Sequence, residues 1–458
     1  MAEIKTPVFP LPDGTVYSRR RNFLPLVAPV PEEYGRIIGQ EKLERLLSVA
    51  ARLQGLRLLE INATAQGGGV AEMLLRVIPF LNSLGIEAEW KVIHGNPAYF
   101  ECTKGMHNLL QGMEGTFTAE MEQTYTDNLN VCASDNLIDY HPEIVTVHDP
   151  QPLCLTHYIQ KPDELWIWRC HIDIEQDALE NHGSLLSLFD DCIEHYGGAI
   201  FSTVHYVISR WPMPKFIIPP FIDPLSDKNR DIPPEKVREV LDRYGIDRKL
   251  PVIAQIGRFD PWKGIDRTLA AFRRVRKERK CQLVIAGGTA SDDPEGTRIL
   301  ARLLEDTRYE GDIHVLNLPP DSNIEINALQ RGADVIMQPS TKEGFGLVIT
   351  EALWKSRPVI AGNVGGIPLQ IREGDTGYFY ETPGKTAQKV ISLLENPEKA
   401  RQMGDRGKAY VREHFLMPDR LADYLLALEL LKNGALNKET CRECIISYHP
   451  WFKLMKRK

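Results

Sequence analysis

Four short segments combine residue types that can hold anions, sugars or both. In Gly67-Gly68-Gly69, three glycines precede an apolar run. Glycine lets the backbone approach a ligand closely, and a helix start offers unpaired N–H groups to an anion. The spacing is not GxGxxG, so it gives no dinucleotide fingerprint, and the segment reads equally well as a tight turn. The second segment, GRFDPWKG, carries Arg258 and Lys263 in one loop bounded by Gly257 and Gly264. Two such cations suit a diphosphate and would neutralise charge on a departing nucleoside diphosphate; two solvated surface cations are the plainer alternative. The third, KEGFGLVITEALW, places seven residues between Glu343 and Glu351. Gly344 and Gly346 would expose N–H groups beside a helix start, where phosphate oxygens are favoured. Glu351 has the chemistry to accept from the two vicinal hydroxyls of a ribose, and Glu343 to hold hydroxyls of a second group. Glutamates at a helix start also simply balance its dipole. The fourth, Gly365-Gly366-Ile367-Pro368, is either a turn or a loop closing over a ligand beside the third.

The N-terminal half adds two segments. His148-Asp149-Pro150-Gln151-Pro152 follows the apolar run IVTV, and Trp168-Arg169-Cys170-His171-Ile172-Asp173 follows LWI. A lone histidine after an apolar strand is usually structural. Arg169 and Asp173 stand two residues either side of His171, and an extended chain would put all three on one face. That grouping favours a ligand contact for His171.

Apolar runs and turn signals predict the elements that position these loops. Residues 31–53 read as helical. Leu56–Ala63 reads as a strand, followed by a helix over 70–84 that contains Pro79. Further strands are expected at 87–93, 144–147, 164–169, 199–203 and 215–218. After a proline-rich stretch the alternation restarts, with strands at 252–256, 282–286, 313–316, 335–338 and 358–361 and helices between and after them. Alternating strands and helices imply parallel sheets with right-handed crossovers. The expected fold class is therefore α/β, with two doubly wound Rossmann-like domains facing across a cleft. The expected boundaries are 1–220 (with a proline-rich N-terminal arm), a linker at 221–250, a second domain at 251–415, and 416–458 as a helix returning toward the first domain plus a basic tail. Ligands of such sheets bind beyond the carboxyl ends of the strands, where all these segments fall.

Composition narrows the classes. The 458 residues are 43% hydrophobic and 26% charged, a globular balance that excludes collagen, coiled coil and wholesale disorder. The net charge of -7, from 55 Lys+Arg against 62 Asp+Glu, gives no nucleic-acid footprint. No apolar run approaches the roughly 20 residues of a membrane helix. The start, MAEIKTPVFPLPDGT, lacks a charged head and apolar core, so no secretory signal is expected. The 8 cysteines are scattered, and reduced thiols in a cytoplasmic protein are the expectation. Cys441 and Cys444 form a CxxC near His449. A zinc site needs about four ligands, so two ordinary thiols are expected there.

In combination and in order, GRFDPWKG, KEGFGLVITEALW and VGGIP resemble the donor-binding half of the glycosyltransferases of family 4, which have the GT-B fold. The His148 and Trp168 segments resemble the trehalose synthases of that family, which transfer glucose from a nucleotide sugar to free glucose, and the related trehalose phosphorylases. The resemblance implies that Arg258 and Lys263 bind the donor pyrophosphate, that Glu351 binds the ribose and that Glu343 contacts the donor sugar. Gly68, Gly69, Gly344, Phe345, Gly346, Leu347 and Gly366 would complete the donor site. It implies that His171 contacts the donor sugar near the reacting carbon, with Asp149, Gln151, Arg169 and Asp173 on the acceptor side. The substrates would be ADP-, UDP- or GDP-glucose and glucose, and the outcome retention of anomeric configuration. No cofactor is expected, and no metal: Asp173-Ile174-Glu175 and Asp292-Asp293 are not in loops expected at the phosphates. No nucleic acid or membrane partner is expected; a homodimer is possible. The competing readings are a phosphorylase using glucose 1-phosphate, for which a ribose-binding Glu351 has no purpose, and a non-catalytic nucleotide-sugar sensor.

Overall fold

The computed structural model describes residues 30–65, 68–135, 137–138, 140–288, 294–441 and 444–448. Residues 1–29 of the expected arm, Gly67, Asp292-Asp293, His449 and the basic tail lie outside the described residues. Among the described residues thirteen strands follow in chain order: β1 (Arg57–Asn62), β2 (Glu87–Val92), β3 (Ile144–His148), β4 (Leu165–Cys170), β5 (Gly198–Phe201), β6 (Lys215–Ile217), β7 (Val252–Ile256), β8 (Gln282–Gly287), β9 (Ile313–Asn317), β10 (Val335–Gln338), β11 (Val359–Ala361), β12 (Gly377–Phe379) and β13 (Ile445–Ile446).

The chain divides into two compact units. The first comprises residues 1–220 and 418–458, so the terminal helix Met417–Lys432 belongs to it from Pro418 onward. Residues 221–417 form the second, and the stretch 221–250 clusters with that unit.

In the first unit all strand pairs are parallel, in the order β13-β6-β5-β4-β3-β1-β2. β3 and β5 are buried at every position, as expected of strands covered on both faces. Trp166, Trp168, Phe189, Phe201 and Trp211 are buried in its main core. The chain runs outward from β1 to β2 and then returns to place β3 on the other side of β1. That reversal is the point at which doubly wound sheets open a crevice for ligands.

The described residues of the second unit form six strands, all parallel, in the order β12-β11-β10-β7-β8-β9. Its reversal lies between β7 and β10, whose buried runs VIAQI and VIMQ end in the GRFDPWKG loop and the segment leading to Glu343.

Local structure departs from the sequence expectation in a few places. The helix expected over 31–53 is two helices, Pro31–Ile38 and Gln40–Arg52, parted by Gly39 at φ +93°. The two-residue strand β13 adds an edge to the first sheet through Ile445 beside Lys215. The expectation of reduced thiols is corrected: Cys154 is bonded to Cys192 and Cys441 to Cys444, leaving Cys102, Cys132, Cys170 and Cys281 free. The first bond joins a turn after β3 to the helix Gly183–Ile193, where burial brings the two sulfurs together. Among the described residues no helix is long and apolar enough to cross a membrane.

Candidate functional site

Lys263 and Glu343 meet at the reversal of the second sheet. The Lys263 ammonium donates to both Glu343 oxygens, at 2.9 and 2.7 Å. Both side chains are largely shielded, which strengthens the pair relative to a surface one. The loops are locked beneath them. Gln255 on β7 donates to the Lys263 carbonyl at 2.8 Å, and the Thr341 amide donates to the Trp262 carbonyl at 2.8 Å. Gln338 at the end of β10 donates to Ser340 Oγ at 3.1 Å, and Ser340 donates onward to Glu343 at 3.2 Å. Gly264 sits at φ +66°, and a Cβ there would stand 2.1 Å from the Pro339 carbonyl oxygen, so only glycine fits. Arg258 projects from the same loop with its side chain 51% exposed, 3.8 Å from Asp260, whose carboxylate caps the Trp262 amide.

Phe345 and Leu347 continue into the helix Leu347–Trp354, capped by Gly346 at φ +84°. The fourth loop joins the third: the Gly366 amide donates to the Gly344 carbonyl at 3.1 Å, and a Cβ on Gly366 would lie 2.7 Å from that oxygen. Glu351 lies inside this helix and is only 5% exposed; Gln330 donates to it at 3.2 Å and Lys228 stands 3.8 Å away. One turn on, buried Lys355 donates to Asn229 Oδ1 at 3.0 Å and to the Glu351 carbonyl at 3.2 Å. Burial pushes its ammonium down to about 7.

In the first unit, Gly68 precedes the helix Gly69–Ser83 in extended conformation, and among the described residues a Cβ on it would meet nothing within 4 Å. Packing therefore does not demand glycine there, which removes the purely steric reason for it. Strand register sets a polar stripe on one sheet face: Glu60 pairs with Thr146, and His148 with Arg169. Beneath the terminal helix, Tyr424 donates to Glu60 at 2.7 Å, and the Arg169 guanidinium lies 5.2 Å from the Tyr424 ring centre. His148 bridges Glu60 (2.7 Å) and His171 (2.9 Å). Burial drives both imidazoles below their ordinary pKa, and the Arg169 charge lowers them further. Asp149, at φ +63°, accepts from the His171 amide at 2.7 Å, and burial raises its carboxyl to about 7.

The shared face expected for Arg169, His171 and Asp173 is not formed. β4 ends at Cys170, the chain turns, and Asp173 instead accepts from Gln111. Gln151 offers its carbonyl to the Tyr99 hydroxyl at 2.7 Å. Sequence reasoning missed Glu60, Tyr424, Gln338 and Ser340. The signal for Glu60 was an acid inside the apolar run LRLLEINA, and for Gln338 an amide at the end of VIMQ.

Two parallel doubly wound sheets, each with polar side chains gathered at its strand reversal, are the architecture found in GT-B glycosyltransferases. Residues 60–208 match the family model "Trehalose synthase, N-terminal domain", and residues 237–410 match "Glycosyl transferases group 1". The chain is 40% identical over 406 residues to a trehalose synthase of Pyrococcus horikoshii, covering 87% of this chain and 96% of that one. It thus belongs to the trehalose synthase family. A trehalose phosphorylase of Grifola frondosa is 29% identical over 83% of this chain and 58% of its own length. Among solved structures, a sucrose-phosphate synthase from Thermosynechococcus elongatus superposes with a TM-score of 0.64 at 16% identity, covering 83% of this chain and all of that one.

Proposed function

We propose that the protein transfers glucose from a nucleoside-diphosphate glucose to free glucose, giving α,α-trehalose with retention of configuration. The observation that carries the reading is the Lys263–Glu343 pair at the β7/β10 reversal, with Arg258 on the same loop. In this reading Arg258 and Lys263 neutralise the leaving diphosphate, a task a bound cation performs elsewhere, so turnover needs no added metal. Glu343 holds Lys263 in place and takes a hydroxyl of the donor sugar. The amides of Gly344, Phe345, Gly346 and Leu347, with Gly366 packed on them, bind sugar or phosphate oxygens, and Glu351 binds the ribose. Gly68 and Gly69 open a helix whose first N–H groups suit the pyrophosphate. His171 contacts the donor sugar near its reacting carbon, and Asp149, Gln151, Arg169 and Asp173 serve the acceptor side. Transfer passes through an oxocarbenium-like state, in which the departing phosphate takes the acceptor proton.

The phosphorylase relatives support a second reading, in which glucose 1-phosphate is the donor. One experiment separates them. The protein is incubated with glucose and ADP-, UDP- or GDP-glucose in the presence of a chelator, and in parallel with glucose and glucose 1-phosphate. Disaccharide from a nucleotide sugar supports the synthase. Product only with glucose 1-phosphate supports the phosphorylase.

A further inference from the structure

The proposed chemistry of the site does not explain why Glu60 is fully buried in the middle of a strand. Its two oxygens are divided between two donors. Tyr424 donates its only hydroxyl proton to Oε1, so Thr146, 2.6 Å from that hydroxyl, must itself donate to it. The second oxygen, Oε2, lies 2.7 Å from His148 Nε2. A carboxylate only accepts, so His148 carries its proton on Nε2 and presents a lone pair at Nδ1. That Nδ1 lies 2.9 Å from His171 Nε2, and the two ring planes are within 9° of parallel. His171 must then carry its own proton on Nε2. Its Nδ1 is left as an acceptor, and among the described residues that atom has no hydrogen-bond partner. The His171 amide, bonded to Asp149, anchors the backbone so that the ring cannot turn away without breaking the chain of bonds.

From this geometry we infer that Glu60 and His148 are positioning residues: they fix the tautomer of His171 so that its Nδ1 accepts a hydroxyl proton from the bound sugar. Both histidines are held neutral by burial, which keeps Nδ1 free to accept. The terminal helix takes part through Tyr424, which fixes the orientation of Glu60. That His171 meets a sugar rests on the proposed activity; its tautomer does not.

The test is imidazole nitrogen NMR on the full chain labelled with [15N]histidine, with resonances assigned by their loss in His148→Gln and His171→Gln. In the unliganded protein both rings should show a protonated Nε2 and an unprotonated Nδ1. A protonated Nδ1 on His171, or a doubly protonated ring, would overturn the inference without touching the proposed activity. Addition of trehalose should then move the His171 Nδ1 resonance as it gains a hydrogen bond. A resonance that stays put in an enzyme that makes trehalose would overturn the sugar contact. Glu60→Gln should lower kcat on the order of tenfold or more while the donor KM stays within about twofold, as expected when only a tautomer is lost. An unchanged kcat would remove Glu60 from the relay. A chain with the expected tautomers and no trehalose activity would defeat the proposed function and leave the relay standing.

Discussion

The Lys263 ammonium reaches both carboxylate oxygens of Glu343, at 2.9 and 2.7 Å, across a strand reversal that separates them by 80 residues. Each comes from the loop after a different strand, β7 and β10, and each loop is fixed by a buried amide of its own strand, Gln255 or Gln338. The pair is thus held by backbone geometry as much as by charge. Lys263→Ala and Glu343→Ala should each lower turnover on the order of a hundredfold, the usual effect of losing one preorganised charged group. Unfolding should stay cooperative in both, which circular dichroism checks. Activity near wild type in either would remove the pair from the reaction.

Two glycines should separate structural from functional need. Gly264→Ala forces a Cβ to 2.1 Å from the Pro339 carbonyl at positive φ, so it should destabilise the second unit by about 1–3 kcal/mol. Gly68→Ala meets open space and should leave stability unchanged. If the amides near Gly68 bind pyrophosphate, that variant should raise the donor KM instead. Denaturant titration and steady-state kinetics read the two effects.

Lys355 should leave a signature in the pH dependence of stability. Its folded value of about 7 lies below that of an unfolded lysine, so between about pH 7 and 10.5 the unfolded chain holds the extra proton. Stability at this site therefore rises with pH across that window and is lower below it, where a buried charge must be carried. Lys355→Met removes the dependence. The unfolding free energy of the variant minus that of wild type should fall from pH 6.5 to pH 9.5, because only the wild type gains stability across that window, and a constant difference would contradict the assignment.

The cysteines give a chemical count. With two disulfides among 8 cysteines, the denatured, unreduced protein should titrate four thiols. Eight thiols would restore the reduced reading made from sequence.

The strand-end loops of the second unit were legible because glycines and charges stand at the ends of apolar runs, a pattern that needs no knowledge of strand order. Gly346 and Gly366 could be placed near each other for the same reason. The Glu60–His148–His171 chain was not legible, because its contacts span 88 and 23 residues and exist only once β1, β3 and β4 are set side by side. Tyr424 closes that chain from 364 residues away, on a helix whose sequence marks no partner. The grouping of Arg169, His171 and Asp173 failed because alternation holds only while a strand lasts, and β4 stops at Cys170. β13, two residues long, is too short to carry a pattern. Cys154 and Cys192, 38 residues apart, have no spacing that announces a bond.

The central claim is transfer of a glucosyl group from a nucleotide sugar to free glucose. The most direct measurement supplies uniformly 13C-labelled glucose with unlabelled nucleoside-diphosphate glucose and follows the product by carbon NMR. The account predicts an α,α-linked non-reducing disaccharide with one ring labelled and one unlabelled, formed with stoichiometric nucleoside diphosphate. Labelled glucose left unchanged beside an active donor turnover, or a disaccharide formed only when glucose 1-phosphate replaces the nucleotide sugar, would contradict it.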